Sequence, residues 1–330
     1  MPTSALPRPR LTALLEQMRG RRVVVIGDAM LDRYLIGDTE RISPEAPVPV
    51  VSVTERRLAL GGAANVAANV AALGGQAQLV AVVGTDHDGA ALRGELGRLG
   101  IGDRFLLELP DRPTTTKTRV VARGQQVVRI DEEEAGELAG ETAARLAALV
   151  TEAVAQADAV LLEDYDKGVL HPGVIAAAMQ ATAARGLPTV VDPKFRSFFA
   201  YRGATVFKPN RRELGAAIPG IDLSSARALV EAAGRLQVEN LLLTLGAGGM
   251  VLVHHDAAVP PHLIESEARE VYDVSGAGDT VTAWVGTALA AKATPIEAAE
   301  LANIAAGVEV AKRGVATVSP AEVLAAHRGA

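Results

Sequence analysis

The chain has 330 residues and no cysteine, which excludes disulfides, thiolate metal sites and thiol catalysis together. Aromatic residues make up only 3%, leaving few platforms on which bases could stack. No apolar run approaches the roughly 18 residues that cross a bilayer. The first ten residues hold prolines and arginines but no apolar stretch of the kind found in a secretory signal. Positive charge is not in excess either: 33 basic residues stand against 39 acidic ones, a net charge of -6, so neither nucleic acid nor membrane is an expected partner. With 49% hydrophobic residues, the chain reads as a soluble, cytoplasmic protein with a large core.

What is present is a rhythm of strands and helices. Residues 22–26 (RVVVI) form a continuous β-branched run, typical of a strand buried on both faces. Similar runs fall at 78–83, 159–162, 188–191, 204–207 and 240–245, with alanine-rich helical stretches at 63–73, 141–156 and 174–184. This alternation predicts an α/β fold with a mainly parallel sheet between two helical layers. The tail, 278–327, reads as helical throughout, and no boundary divides the chain into domains. Two segments break the rhythm: 34–60, with prolines at 44, 47 and 49, and 114–131, which reads as a hairpin around Arg123-Gly124. Both are expected to form one small β lid over the ligand-bearing sheet edge, the alternative being two surface excursions that never meet.

Four local patterns carry chemistry. In Asp273-Val274-Ser275-Gly276-Ala277-Gly278-Asp279, a loop of small residues runs into a helix, whose free N–H groups form an anion cradle. A carboxylate there suits proton removal from an attacking hydroxyl, although an Asp before a helix can also be a plain cap. No Gly-Lys-Ser/Thr follows, so this is not a Walker A loop. Gly27-Asp28, Asp32 and Gly61-Gly62-Ala63-Ala64-Asn65 place carboxylates and an amide at strand ends, suited to sugar-like hydroxyls. Lys208-Pro209-Asn210-Arg211-Arg212-Glu213 follows a strand: Lys208 can neutralise phosphate while Asn210 and Glu213 order Mg²⁺-bound water, or the last two form a capping box. Thr244-Leu245-Gly246-Ala247-Gly248-Gly249 either admits a nucleotide to the backbone or turns a hairpin into residues 250–253.

Together these residues resemble the ribokinase-type (PfkB) carbohydrate kinases, and the similarity runs through almost the whole chain. Both family signatures are present, Gly-Gly-x-x-Asn at residues 61–65 and Asp-x-x-Gly-x-Gly-Asp at residues 273–279. Within the family, the stretches GDAMLDRY at 27–34, RISPEAPVPVV at 41–51 and DYDKG at 164–168 are most similar to the branch acting on D-glycero-D-manno-heptose 7-phosphate at C1. The resemblance implies a ribokinase-like three-layer sandwich, ATP and Mg²⁺ as cofactors, and Asp279 as base, with the amides of Gly276, Ala277 and Gly278 as anion hole. Asp32, Gly62 and Asn65 would hold sugar hydroxyls, with Asp28 and Asp164 as further contacts. Lys208, Asn210 and Glu213 would address ATP phosphates and Mg²⁺; Thr244, Gly246 and Gly249 would border the nucleotide and Asn303 the adenine. Asp273 and Ser275 would belong to a loop for a monovalent cation such as K⁺.

A sugar that already carries a phosphate needs a second cationic pocket, for which Arg33, Lys117, Arg119, Arg129, Lys167 and Lys194 are candidates, two or three of them converging. The chain departs from the pattern at Glu163, where serine is commoner, and at Ala247-Gly248. It contains no His-x-Gly-His motif, so a separate nucleotidyltransferase is expected downstream, and the exposed lid edges predict a homodimer. The rivals are a kinase of the same fold for another sugar or nucleoside, and a sugar-binding regulator without catalysis.

Overall fold

The computed structural model describes residues 6–268 and 271–327. Helix α1 (Arg8–Met18) leads into strand β1 (Arg22–Gly27), the hairpin β2 (Ala29–Ile42) and β3 (Pro49–Gly62), and α2 (Ala63–Ala72). There follow β4 (Gln76–Gly84), α3 (His87–Arg98), β5 (Leu106–Leu109) and a second hairpin, β6 (Thr116–Ala122) and β7 (Gln125–Glu132). The middle of the chain supplies α4 (Gly140–Val154), β8 (Ala159–Glu163), α5 (Pro172–Arg185), β9 (Thr189–Asp192) and β10 (Val206–Phe207). Next come α6 (Arg211–Ala217), α7 (Ala226–Leu236), β11 (Asn240–Thr244), β12 (Met250–His254) and β13 (His262–Ile264). The chain closes with α8 (Ala277–Ala290), α9 (Pro295–Glu309) and α10 (Pro320–Ala326).

The main sheet has nine strands in the order β13-β12-β11-β10-β9-β8-β1-β4-β5, parallel except where β12 meets β11 and β13. Its two faces bury separate cores, as a period of two requires. Val23 and Val25 of β1 pack on one side with α1, α2, α8 and α9, while Val24 and Ile26 pack on the other with α4, α5 and α7. The three-layer α/β reading therefore holds. Helix α8 lies very close to the sheet: a Cβ on Gly286 would stand 2.0 Å from Leu161 Cδ2 of β8. That approach sets the N-terminus of α8 over the carboxyl ends of β8 and β9, whose last residues are Glu163 and Asp192.

The two irregular segments do meet. They form a second sheet, β3-β2-β6-β7, in which β2 and β6 run parallel with Asp32 opposite Lys117 and Tyr34 opposite Arg119. Its strands run further than the expected 34–60 and 114–131, because β2 follows β1 after a single residue and β3 continues to Gly62. The prolines are accommodated without breaking it: Pro44 and Pro47 lie in the turn, and Pro49 opens an edge strand, where a missing N–H removes no ladder bond. The tail is not helical throughout, since residues 310–319 leave the helix after Glu309 and re-enter one only at Pro320. Among the described residues, no helix is long and apolar enough to cross a membrane.

Candidate active site

Helix α8 begins after Gly276, which takes φ 95°, a left-handed conformation open to glycine and strained for other residues. The Ala277 N–H reaches the Val274 carbonyl at 3.4 Å, and the Thr280 N–H takes the Gly276 carbonyl at 2.9 Å. The Gly278 and Asp279 amides between them are unsatisfied donors of a helix start, at the positive end of the dipole. Asp279 is only 4% exposed. Its Oδ2 accepts a hydrogen bond from Asn65 Nδ2 at 2.7 Å, and its Oδ1 accepts one from Tyr165 OH at 2.8 Å. Asp279 makes no cap bond to its own helix, so the capping alternative falls away. Burial pushes its carboxyl up to about 6, against the opposing hydrogen bonds from Asn65 and Tyr165. A base must be ionised to accept a proton, so kcat is expected to rise with pH through about 6 and then level. A pH–rate profile flat from 5 to 8 would remove this assignment.

Beneath Asp279 lies a buried charge cluster. Carboxylate oxygens of Glu163, Asp192 and Asp279 lie within 4.8 Å of one another. Lys208 Nζ is 2.7 Å from Asp192 Oδ2 and is itself buried. Burial works against the lysine's charge, but Asp192 beside it helps hold it above its ordinary value. A Cβ on Gly278 would stand 3.5 Å from this ammonium, which therefore faces the α8 cradle and can meet an incoming phosphate.

On one side of the cradle opens a cleft of about 600 Å³ lined by Thr244, Gly246, Gly249, Gly278 and Asn303. The turn from β11 to β12 is both a hairpin and a cleft wall. Gly249 takes φ 80°, and a Cβ there would collide with the Ile264 carbonyl at 2.0 Å. Asn303 is anchored by Nδ2 donating to the Glu265 carbonyl at 2.7 Å. Asn210 lines the same cleft but, with Glu213, forms the reciprocal capping box of α6. Glu213 also pairs with Lys194. Both therefore also serve the protein internally, as the capping box of α6 and the partner of Lys194.

On the other side lie the polar residues that the lid strands and α2 bring toward Asp279. Gly62 takes φ 55° and ends β3, so that α2 starts under the lid and carries Asn65 to Asp279. Asp32 lies beside Gly61 and is paired with Arg119. Asp28 and Asp164, expected to contact sugar, are used internally. Asp28 accepts the N–H groups of Tyr165, Lys167 and Val169 at 2.8, 3.0 and 3.1 Å. Asp164 accepts Tyr201 OH at 2.6 Å and the Asp166 N–H at 2.9 Å.

The cationic candidates divide. Lys117 and Lys167 both reach Glu133, at 3.1 and 2.6 Å, and Arg119 and Arg129 stand opposite each other on the same lid face. Arg33 points to the other face and pairs with Asp88; Lys194 lies over the Tyr165 ring on the Glu213 side. Three participants escaped the sequence reading. Tyr165 entered only as part of the 164–168 stretch, with no role assigned to it. Arg57 stacks 4.5 Å over Tyr34 with its Nε buried and without an acceptor. Glu309, behind Gly276, has both oxygens buried without a partner, and burial, helped by Asp273, pushes its carboxyl up to about 8. Asp273 itself accepts the Ser275 N–H at 2.9 Å.

The family model described as pfkB family carbohydrate kinase matches residues 21–322. The bifunctional protein HldE of Pelobacter propionicus is 46% identical over 323 residues, 97% of this chain and 66% of that protein. That of Caulobacter vibrioides is 45% identical over 321 residues, covering 96% and 65%. The chain thus spans about two thirds of the length of these relatives. Because they are called bifunctional, the expectation of a separate nucleotidyltransferase finds no support in them. Among solved structures, Arabidopsis thaliana ribokinase complexed with ribose and ATP superposes with a TM-score of 0.71 at 22% identity, covering 93% of this chain and 98% of that one. Phosphofructokinase-2 from Escherichia coli in complex with potassium gives 0.74 at 20% identity, covering 92% and 97%. At such identities these two speak for the fold.

Proposed function

This chain belongs to the pfkB family of carbohydrate kinases and is a sugar kinase, and from that premise we propose that it transfers the γ-phosphoryl group of ATP to the C1 hydroxyl of D-glycero-D-manno-heptose 7-phosphate. The carrying observation is the inner face of the lid. Arg57, Lys117, Arg119 and Arg129 stand there, with Lys167 reaching in from the loop after β8, against Asp32, Glu55, Asp131 and Glu133, an excess of one positive charge over four carboxylates. A phosphate monoester carries close to two negative charges at neutral pH. A lid face of net positive charge beside Asp279, and apart from the nucleotide cleft, fits a sugar that arrives already phosphorylated. The resemblance of the 27–34, 41–51 and 164–168 stretches to the heptose-phosphate branch supports a heptose as that sugar.

In this reading the nucleotide lies along the Thr244–Asn303 cleft, bringing its magnesium as part of the substrate. Its terminal phosphate reaches the α8 amides and Lys208. The sugar lies under the lid on Asp32, Gly62 and Asn65, with C1 oxygen at Asp279. The hydroxyl proton passes to Asp279 as oxygen bonds to phosphorus, and ADP departs. Phosphoryl transfer has a loose transition state, so positioning and charge neutralisation by Lys208 and the helix start account for most of the rate. Closure of the lid keeps water from competing as acceptor. Asp273 and the buried, unpartnered Glu309 suit a monovalent cation behind the loop, where it would steady the α8 amides. The exposed edge of β7, with Val127, Val128 and Ile130 42–50% exposed, suits pairing with a second copy through the lid.

The test is ATP consumption with D-glycero-D-manno-heptose 7-phosphate beside ribose, fructose 6-phosphate and adenosine, with mass detection of products. A heptose 1,7-bisphosphate is expected. Turnover confined to another acceptor would discard the heptose reading, and turnover of none would favour a binding protein. Arg119→Ala and Lys167→Ala are each expected to raise KM for the phosphorylated sugar about tenfold or more, since a charge-assisted bond is worth roughly 1.5–3 kcal/mol. Unchanged KM values in both would move the phosphate elsewhere.

A further inference from the structure

Glu163 is the most anomalous side chain in the molecule. It ends β8, is 0% exposed, and both of its carboxylate oxygens are buried with no hydrogen-bond partner. Two carboxylates, Asp192 from β9 and Asp279 from α8, have oxygens within 4.8 Å of its own. An ionised carboxylate only accepts, so neither neighbour can satisfy it as drawn. The group best placed to bond it is Asp192, and that bond exists only with a proton between the two.

We propose that Glu163 is a protonated positioning residue, which shares its proton with Asp192 and thereby leaves Asp279 as the cluster's free carboxylate. The groups facing it are Asp192, Asp279 and Lys208, with Lys194 and Tyr165 further out. Of these, Lys208 is the buried cation, and it is already engaged by Asp192 at 2.7 Å. Three ionised carboxylates around one ammonium would leave two uncompensated negative charges in the interior, directly where the phosphates of ATP must arrive. A proton on Glu163 removes one, and the other is the charge Asp279 needs. Burial, reinforced by Asp192 and Asp279, favours that proton strongly. When the nucleotide draws Lys208 toward its phosphates, the Glu163 hydrogen bond continues to hold Asp192 in place. The proton stays with the pair through the cycle, while the sugar's proton goes to Asp279.

The catalytic part of this inference rests on Asp279 acting as base, but its central claim can be read without any substrate. At neutral pH the wild-type minus Glu163→Gln infrared difference spectrum is expected to show the carbonyl band of one buried carboxylic acid, beyond the band that Glu309 contributes to both proteins. The folded state keeps a proton that the unfolded chain loses above the ordinary glutamate range. Wild-type stability should therefore decline relative to Glu163→Gln as pH rises from 5 to 8, and the gap in Tm should widen. On whichever sugar the wild type phosphorylates, Glu163→Gln, still a neutral donor, should exceed the similarly sized Glu163→Met in kcat by about tenfold, with similar KM for the sugar. Absence of the carbonyl band, a Tm gap that does not change with pH, or equal kcat values for the two variants would each overturn the proposal. Failure of the heptose assay would touch neither the carbonyl band nor the Tm comparison.

Discussion

Asp279→Asn is expected to lower kcat by about 10²-fold or more, the usual scale of a lost general base. The substitution keeps the volume and one acceptor oxygen, so Asn65 or Tyr165 can still bond the side chain, and α8 should fold unchanged. What disappears is the site that receives the hydroxyl proton. Removing any single hydroxyl contact, for instance with Asn65→Ala, should cost less, because the remaining lid and pocket contacts still orient the sugar. The measurement is steady-state turnover with circular dichroism as a control for folding. Near-wild-type kcat in a folded Asp279→Asn protein would end the base assignment and leave the helix start and Lys208 as the whole catalytic apparatus.

The second large effect falls on stability. Asp28→Ala strips the acceptor from the N–H groups of Tyr165, Lys167 and Val169 at once. Each buried donor left unpaired costs roughly 1–3 kcal/mol, so a loss of about 3 kcal/mol or more is expected in urea unfolding. Activity should fall with it, since this loop carries Tyr165 to Asp279 and Lys167 to the lid. Asp28→Asn, which retains one acceptor oxygen, should lie between. A sugar contact would behave in the opposite way: KM would rise and stability would hardly change. A stable Asp28→Ala protein with raised KM for the sugar alone would restore Asp28 to the substrate.

The difference between those outcomes reflects what one dimension of information can carry. Residues 22–26 announce a doubly buried strand because the run is apolar without alternation, and both faces of β1 are indeed core. The lid segments are readable as non-core, from prolines in one and charge alternation in the other. The signature around Asp279 is legible because free helix amides need small residues at fixed spacing. Strand β5, helices α1 and α3 and the edge strand β13 leave weaker marks, being short or mixed in polarity, and they emerge only once packed against their neighbours.

The sequence by itself determined the alternation of strands and helices, the small-residue loop before α8, and Asp279 as the carboxylate in the first turn of that helix, since each follows from local spacing and backbone geometry. Tertiary structure alone decided which polar groups are free to meet a ligand. Asp28, Asp32 and Asp164 look alike in sequence, yet the first and third are consumed by backbone and Tyr201 donors from elsewhere in the chain, whereas the second meets Arg119 across two lid strands. Asn210 and Glu213 cap their own helix, while Glu163, which the sequence marked only as a departure from the pattern, and Glu309 end up buried with nothing to bond. The reason is physical: a polar side chain's role depends on whether folding supplies its hydrogen-bond partners, and those partners come from residues tens to hundreds of positions away.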